Sequence, residues 1–406
     1  MSNPFSGKTI LLGVTGSIAA YKAADLASKL TQQGALVDAV LTKSAEHFIT
    51  PLTFQSVTSR KAYTDDNLWD GLGHVTHIGL GRAADLVLIA PISATTIARL
   101  ANGFGDNLLS VAVLASHAPL VIAPAMDAGM YAHPATQANV EVLRKRGAYI
   151  IGPAEGHLAS GLVGPGRMVE PLEIMSHARY VLSRGGPLAG KTVVITAGGT
   201  QEDIDPVRFI TNRSSGKQGY ALAQAALDSG ANVTLISAPT HLTVPAGVKL
   251  INVRSAAEMQ AAVQSETIAA DALIMSAAVA DFRPIHAATD KIKKEKGIPQ
   301  LTLEATADIL KEIGGQKART GFPRVTVGFA AESSDLIAHA QEKLSAKHLD
   351  MIVANDISAH DAGFDVDTNR VVYLYADGRS EESSLLPKAE IADQIIQRLS
   401  SLLTAE

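Results

Sequence analysis

The chain contains no cysteine. Disulfides, zinc–thiolate sites and a thiol catalyst are therefore excluded. Aromatic residues make up only 4% and tryptophan occurs once, while 47% of the chain is hydrophobic. The core must rest on Ala, Val, Ile and Leu, which suits α/β layers with closely packed helices. There is no excess of positive charge: 35 Lys and Arg stand against 40 Asp and Glu, for a net charge of -5. That gives no electrostatic case for nucleic acid or an anionic membrane. No apolar run reaches the roughly 18 residues that a membrane span needs. The N-terminal residues lead straight into a strand pattern without signal-peptide character. Also missing is a clean Gly-x-Gly-x-x-Gly followed by an acidic residue about 20 positions on, which argues against a nicotinamide oxidoreductase. The expectation is a cytoplasmic enzyme of two or three domains across 406 residues.

What is present is alternation. Short apolar runs at Thr9 to Gly13, Leu36 to Leu41, Asp85 to Ala90, Pro119 to Ala123 and Tyr149 to Ile151 read as strands. Helical patterns fall between them, at Ile18 to Gln33, Thr95 to Asn102 and Thr136 to Arg146. This βαβ alternation predicts a parallel sheet covered on both faces. A stretch rich in glycine and polar residues from Leu182 to Gly190 predicts a linker. The pattern then restarts, since Lys8-Thr-Ile-Leu-Leu-Gly-Val-Thr-Gly and Lys191-Thr-Val-Val-Ile-Thr-Ala-Gly-Gly are similar openings. Later strands are expected at Thr192 to Ile195, Asn232 to Ser237, Leu250 to Val253, Ala272 to Ser276, Val325 to Phe329 and Asp350 to Ala354. A hairpin is expected around Asp377-Gly378 and a closing helix at Ala389 to Leu403. The reading is α/β, with two doubly wound Rossmann-like domains at 1–183 and 190–406 joined by a linker at 184–189.

The most informative stretch is Ile195 to Ala223. A strand feeds a glycine turn, a polar loop and then a helix that opens at Ser214-Ser-Gly-Lys217. Free backbone N–H groups and the positive end of a helix dipole make such a junction an anion site. Arg208, Asn212 and Lys217 add donors in the same stretch.

In the first half, three loops follow strands: Gly13-Val-Thr-Gly-Ser17, Ala90-Pro-Ile-Ser-Ala-Thr-Thr96 and Ala123-Pro-Ala-Met-Asp127. Ligands in open α/β sheets bind at strand carboxyl ends, so these loops predict one crevice. With His77 in His-Ile-Gly-Leu-Gly-Arg-Ala-Ala-Asp, they resemble the homo-oligomeric flavin-containing cysteine decarboxylases. The resemblance implies a flavodoxin-like flavoprotein domain with FMN held by Gly16, Ser17, Ile18, Thr42, Ser93, Thr95 and Met126. It also implies that His77 is catalytic. Read from the residues alone, His77 serves equally well as a histidine satisfied at a helix start. Two positions depart from the family. Asp127 replaces an asparagine associated with the substrate carboxylate, and would repel that carboxylate unless protonated or paired with a cation. Ser160, in the flap Gly156 to Met168, replaces a cysteine proton donor, and a hydroxyl is far less acidic than a thiol. His157 is a candidate substitute donor.

In the second half, Asp205-Pro-Val-Arg-Phe-Ile-Thr-Asn212, Ser214-Ser-Gly-Lys-Gln-Gly219, Ser276-Ala-Ala-Val-Ala-Asp281, Lys291-Ile-Lys-Lys294, Val327-Gly-Phe-Ala-Ala-Glu332 and Asp350-Met-Ile-Val-Ala-Asn-Asp356 resemble the phosphopantothenate–cysteine ligase domain. The whole chain thus resembles the bifunctional phosphopantothenoylcysteine decarboxylase/phosphopantothenate–cysteine ligase family of coenzyme A synthesis. The resemblance implies a CTP-dependent ligase with Mg2+, acting through an acyl-cytidylate. Lys291 would sit on the triphosphate, Asn212 would hold the acyl-cytidylate and Arg208 would support it. Ala277, Asp281, Asp308, Ile309, Phe329, Lys343 and Lys347 fall at CTP-contact positions. On composition alone, Lys291 to Lys296 also reads as a solvated loop, and Lys343 with Lys347 as surface lysines on one helix face. The family's Asn-Pro-Asp-Ile is Thr306-Ala-Asp-Ile309 here. Trimeric flavin domains and paired ligase domains are implied, which together suggest a dodecamer. An alternative reading is an active ligase beside a flavin domain altered in decarboxylation by Asp127 and Ser160.

Overall fold

The structure, a computed structural model, describes residues 3–69, 75–293, 300–332, 336–356 and 367–404. It divides into two units, Asn3–Leu182 and Ser183–Glu406.

The first unit is a parallel sheet of six strands. Thr9–Val14 lies at its centre with Leu36–Leu41 on one side and Leu86–Ile92 on the other. Leu120–Pro124 and Tyr149–Ile150 continue one edge, and the two-residue strand Ala62–Tyr63 ends the other. Without that short edge strand, the five others run 2-1-3-4-5, the flavodoxin-like order. Leu86–Ile92 is buried throughout, as expected of a strand covered on both faces. Side chains of the central strand alternate between the two faces: Ile10 and Leu12 pack into one core, and Leu11 into the other. The helix Ala20–Gln32 buries Ala23, Leu26, Ala27 and Leu30, the spacing of one helical face. It starts two residues later than the expected Ile18, because Ser17 to Ala20 form a turn closed by Ala20 N to Ser17 O, 3.0 Å.

The second unit repeats the plan. Thr192–Ala197, Asn232–Ser237, Lys249–Asn252, Ala272–Met275, Val325–Glu332 and Met351–Asp356 form a parallel sheet in the order 3-2-1-4-5-6. Val371–Tyr375 and Ser380–Glu382 add two antiparallel edge strands, the expected hairpin. The repeated Lys-Thr openings have a matching structural partner. Lys8 Nζ and Thr9 N bind the two oxygens of Asp85 at 2.9 and 2.8 Å. Lys191 Nζ and Thr192 N bind Asp271 in the same way, at 3.2 and 2.8 Å. Each aspartate thereby ties the start of the central strand to the start of its neighbour. Within residues 184–189, Leu188 is buried and donates its N–H to Ser229 O, 2.7 Å.

Candidate active sites

In the first unit the residues expected around a flavin sit at carboxyl ends of adjacent strands. Gly16, Ser17 and Ile18 follow Thr9–Val14, and Thr42 follows Leu36–Leu41. Ser93 and Thr95 follow Leu86–Ile92, and Met126 follows Leu120–Pro124. The strand order reverses between Thr9–Val14 and Leu86–Ile92, the switch point where such sheets bind ligands. Gly16 lets the first two loops close together. A Cβ there would lie 2.5 Å from Ser44 Cβ. Thr15, which the motif reading passed over, joins the loops across the switch point. Its hydroxyl donates to Pro91 O (2.9 Å) and accepts from Ser93 N (2.9 Å). A threonine ending an apolar strand was its only signal. Ser93 caps the helix Ala94–Asn102 by accepting Thr96 N, which leaves Thr95 exposed on its first turn.

His77 lies in the first turn of the helix Thr76–Ala83. Its Nδ1 is buried and has no hydrogen-bond partner among the described residues, so that atom is not satisfied as a helix cap. A buried, unpartnered ring nitrogen is costly unless a ligand completes it. His74, three residues before His77 and the other half of the one histidine pair whose spacing suits a metal, lies outside the described residues.

The two departures from the family pattern meet. Ser160 Oγ donates to Asp127 Oδ2 at 2.6 Å, and Gly129 N donates to Asp127 Oδ1 at 2.9 Å. The Ser160 hydrogen bond, and then the Gly129 N–H, hold the Asp127 carboxyl below its ordinary range. The carboxylate is thus ionised and takes neutral donors, neither of the two ways in which it was expected to accommodate a substrate carboxylate. The flap carrying Ser160 is the hairpin Ala154–His157 with Val163–Arg167. It is fixed to the loop below by Met126 N to Gly166 O, 3.0 Å.

In the second unit, one cavity of about 930 Å³ opens at the carboxyl ends of the sheet. Asn212, Ala277, Asp281, Asp308, Ile309, Phe329, Lys343 and Lys347 all line it. So does the junction Ser214 to Gly219, which starts the helix Lys217–Asp228. Gly216 adopts φ 75° there, and no side chain caps the helix. The floor is tied together by threonines: Thr196 Oγ1 accepts Ala277 N (3.0 Å) and Thr200 Oγ1 accepts Ala280 N (2.9 Å). Asn212 Nδ2 donates to Val279 O at 3.0 Å, fixing its amide over the same loop. Asp308 caps the helix Ile309–Thr320 and pairs with Lys347 at 3.2 Å.

Arg208 and Lys291 do not line that cavity. They belong to a neighbouring arrangement organised by Asp205. Asp205 Oδ1 accepts Val207 N and Arg208 N, each at 2.8 Å, and Oδ2 accepts Ile292 N at 3.1 Å. Arg208 Nη2 donates to Ile292 O at 3.3 Å. Burial alone would raise the Asp205 carboxyl, but these backbone donors outweigh it and hold the group below its ordinary range. Lys291 is exposed, and its neighbour Ile292 is held on both sides. The segment 294–299 lies outside the described residues.

Two family descriptions match the chain: "Flavoprotein" over residues 2–182 and "DNA/pantothenate metabolism flavoprotein C-terminal domain" over residues 188–403. The chain is 46% identical over 400 residues to the coenzyme A biosynthesis bifunctional protein CoaBC of Bacillus subtilis (strain 168), covering 98% of each chain. It is 41% identical over 408 residues to the protein of that name from Mycobacterium tuberculosis (strain ATCC 25618 / H37Rv), covering 98% of this chain and 97% of the other. Among solved structures, the C-terminal domain of a coenzyme A biosynthesis bifunctional protein CoaBC is 39% identical, with a TM-score of 0.47. That match covers 55% of this chain and 100% of the other.

Proposed function

The chain belongs to the family of coenzyme A biosynthesis bifunctional proteins, and from that premise we propose how its two units divide the chemistry. The protein is a bifunctional enzyme of coenzyme A biosynthesis, a ligase and a decarboxylase. The domain assignment is an FMN-binding decarboxylase domain at 1–183, a linker at 184–189 and a ligase domain at 190–406.

The ligase joins 4'-phosphopantothenate to cysteine at the expense of CTP. A carboxylate is a poor acyl donor. Its oxygen first attacks the α-phosphorus of CTP, the bond to the β-phosphate breaks and pyrophosphate leaves. The amine of cysteine then attacks the acyl carbon, the C–O bond breaks, CMP leaves and the nitrogen gives up a proton. Charge builds on phosphoryl oxygens in the first step, where Lys291 and the uncapped N-terminus of Lys217–Asp228 stabilise it. Arg208, held by Asp205 and Ile292 O, supports that segment. Asn212 orients the acyl-cytidylate. Ala277, Asp281, Asp308, Ile309, Phe329, Lys343 and Lys347 hold the nucleotide. Asp281 lines the cavity and would offer one carboxylate to a Mg2+ ion arriving on nucleotide phosphates, while the Asp308 carboxylate is already taken by its helix start and Lys347.

In the first unit, Gly16, Ser17, Ile18, Thr42, Ser93, Thr95 and Met126 would hold FMN, and the close approach of the Gly16 and Ser44 loops suits its phosphate end. When bound, the flavin supplies the oxidation of the cysteinyl carbon–sulfur unit that makes loss of CO2 feasible. His77, with its unpartnered buried nitrogen, faces the requirement for a proton-accepting or proton-donating group. Ser160 and Asp127 set the flap. The alternative, a flavin domain altered in decarboxylation, rests on those two residues and is not favoured by the full-length family match.

The observation that carries this reading is the convergence of eight expected ligase residues, Asn212, Ala277, Asp281, Asp308, Ile309, Phe329, Lys343 and Lys347, on one cavity. Purified protein given phosphopantothenate, cysteine, CTP and Mg2+ should release pyrophosphate, and given phosphopantothenoylcysteine should release CO2. No pyrophosphate in the first assay overturns the ligase assignment. Among the described residues no helix is long and apolar enough to cross a membrane. A cytoplasmic location and a homo-oligomer of trimeric flavin domains and paired ligase domains complete the proposal.

A further inference from the structure

The ligase cavity is also lined by Gln218, Asn355, Asn369 and Lys388, none of which stands at an expected nucleotide-contact position. Ile352 and Ala354 pack in the core with Ala340 and Leu344 of the helix Leu336–Ala346, which also carries Lys343. Successive side chains of a strand point to opposite faces. Asn355 therefore faces away from the lysine-bearing helix. It lines the cavity with Gln218, Asn369 and Lys388.

Two features mark these residues. The first is a pair of unsatisfied acceptors. Asn355 is 8% exposed, and its Oδ1 is buried without a hydrogen-bond partner among the described residues. Gln218 Oε1 is likewise buried and unpartnered, while its Nε2 donates to Lys388 O at 3.4 Å. Buried acceptors left open cost stability unless a ligand supplies donors. The second is a pair of cations. Lys217 Nζ lies 2.6 Å from Asp367 Oδ1, and the buried Lys388 also acts on that carboxylate. A ligand that brings several N–H donors next to a carboxylate matches both features. A nucleobase brings no carboxylate, and a pantothenate chain has a single amide N–H two methylenes from its carboxylate, whereas an α-amino acid carries its amine and carboxylate on one carbon.

We propose that Asn355 and Gln218 receive the amine of the cysteine substrate, and that Lys217 and Lys388 receive its carboxylate. The proposal rests on the ligase reading and names the site of its second substrate. Neutral carboxamides accept from an amine without stabilising its ammonium form as a carboxylate would, so the nitrogen keeps the lone pair that attacks the acyl carbon. The attack forms the C–N bond, breaks the C–O bond to CMP and releases one proton to water in the open cavity.

The test separates the two half-reactions in the full-length protein. Exchange of labelled pyrophosphate into CTP, driven by phosphopantothenate without cysteine, reports acyl-cytidylate formation. Steady-state ligation reports the KM for cysteine. Asn355→Ala and Gln218→Met should each raise the KM for cysteine about tenfold, the effect of one lost hydrogen bond, with the exchange rate retained. Slowed exchange, or a raised KM for CTP or phosphopantothenate at unchanged KM for cysteine, overturns the proposal in favour of another occupant. If Asn355→Ala does not fold, Gln218→Met at its half-buried position decides by the same measurements. Absence of exchange in the unaltered protein would instead remove the ligase reading itself.

Discussion

Ser160 donates its hydroxyl proton to Asp127 at 2.6 Å, so the two residues that depart from the family pattern are partners of each other. The pair is self-consistent: an asparagine–cysteine combination has become a carboxylate that accepts and a hydroxyl that gives. It also commits both groups. An ionised Asp127 works against a substrate carboxylate, and a Ser160 hydroxyl bound to Asp127 is not free to protonate anything else. Asp127→Asn keeps an acceptor for Ser160 and removes the charge. It is expected to lower the KM for phosphopantothenoylcysteine severalfold, measured by CO2 release over a range of substrate. An unchanged KM would mean that Asp127 does not face the substrate carboxylate.

The same pair predicts an acid-sensitive flap. The folded-state carboxyl of Asp127 titrates below its ordinary range because Ser160 and Gly129 donate to the ionised form. A depressed folded value means that the stabilisation is present above the unfolded-state pKa and is lost as pH falls through the folded one. The flap amides of Leu158 and Gly161, which donate to Leu162 O and Leu158 O, should keep constant hydrogen-exchange protection from neutral pH down to the usual carboxylate range. Protection should weaken below it, once intrinsic exchange is corrected for. Ser160→Ala should loosen these amides at neutral pH and flatten the acid step. A step of the same size in Ser160→Ala would assign it to another group.

Gly16→Ala addresses flavin binding. The new methyl group would meet Ser44 Cβ at 2.5 Å and Ser44 backbone atoms at 3.2 Å. Overpacking of this kind costs about 1–3 kcal/mol, and the loops would part to relieve it. The variant should purify with a smaller flavin absorption band per mole of protein and regain it only at raised FMN concentration. Pyrophosphate release, whose residues lie in the other unit, should be unchanged. A full flavin band would place the phosphate end elsewhere.

The two sheets were legible because covered parallel strands leave long apolar runs, and the glycine turns mark their carboxyl ends. The repeated Lys-Thr openings were visible too. Their reason was not, because Asp85 and Asp271 lie 76 and 79 residues from the threonines they bind. The small hairpins were harder. Gln201–Asp205 with Arg208–Thr211 reads as a polar loop, since both strands are short and rich in polar residues and the second is largely exposed. Phe282–Pro284 with Leu303–Ala305 is split by a long insertion, and no local turn signal announces the pairing. Among the ligase residues that line the cavity, Asn212 and Ala277 follow strand ends and could be gathered by that rule, whereas Phe329 lies within a strand and Lys343 within a helix. Arg208 and Lys291 are 83 positions apart in number, and their segments are joined by Asp205 and by the Arg208 bond to Ile292 O, contacts that no periodicity encodes.

Asp205 therefore carries a prediction that motif reading would not make. Its two oxygens do different work: Oδ1 holds the turn at Val207 and Arg208, and Oδ2 holds Ile292 beside Lys291. Asp205→Ala leaves three backbone N–H groups without their acceptor and should both destabilise the second unit and slow acyl-cytidylate formation. Asp205→Asn separates the two effects. Its carbonyl oxygen can still close the turn, but its NH2 then points at the N–H of Ile292, donor against donor. The asparagine variant should keep most of the thermal stability while pyrophosphate release falls about tenfold to a hundredfold, the scale of a misplaced catalytic group. Decarboxylation should be unaffected in both variants. If Asp205→Asn releases pyrophosphate at the unaltered rate, the tether to Ile292 does not position Lys291, and Arg208 alone must account for the role of this loop.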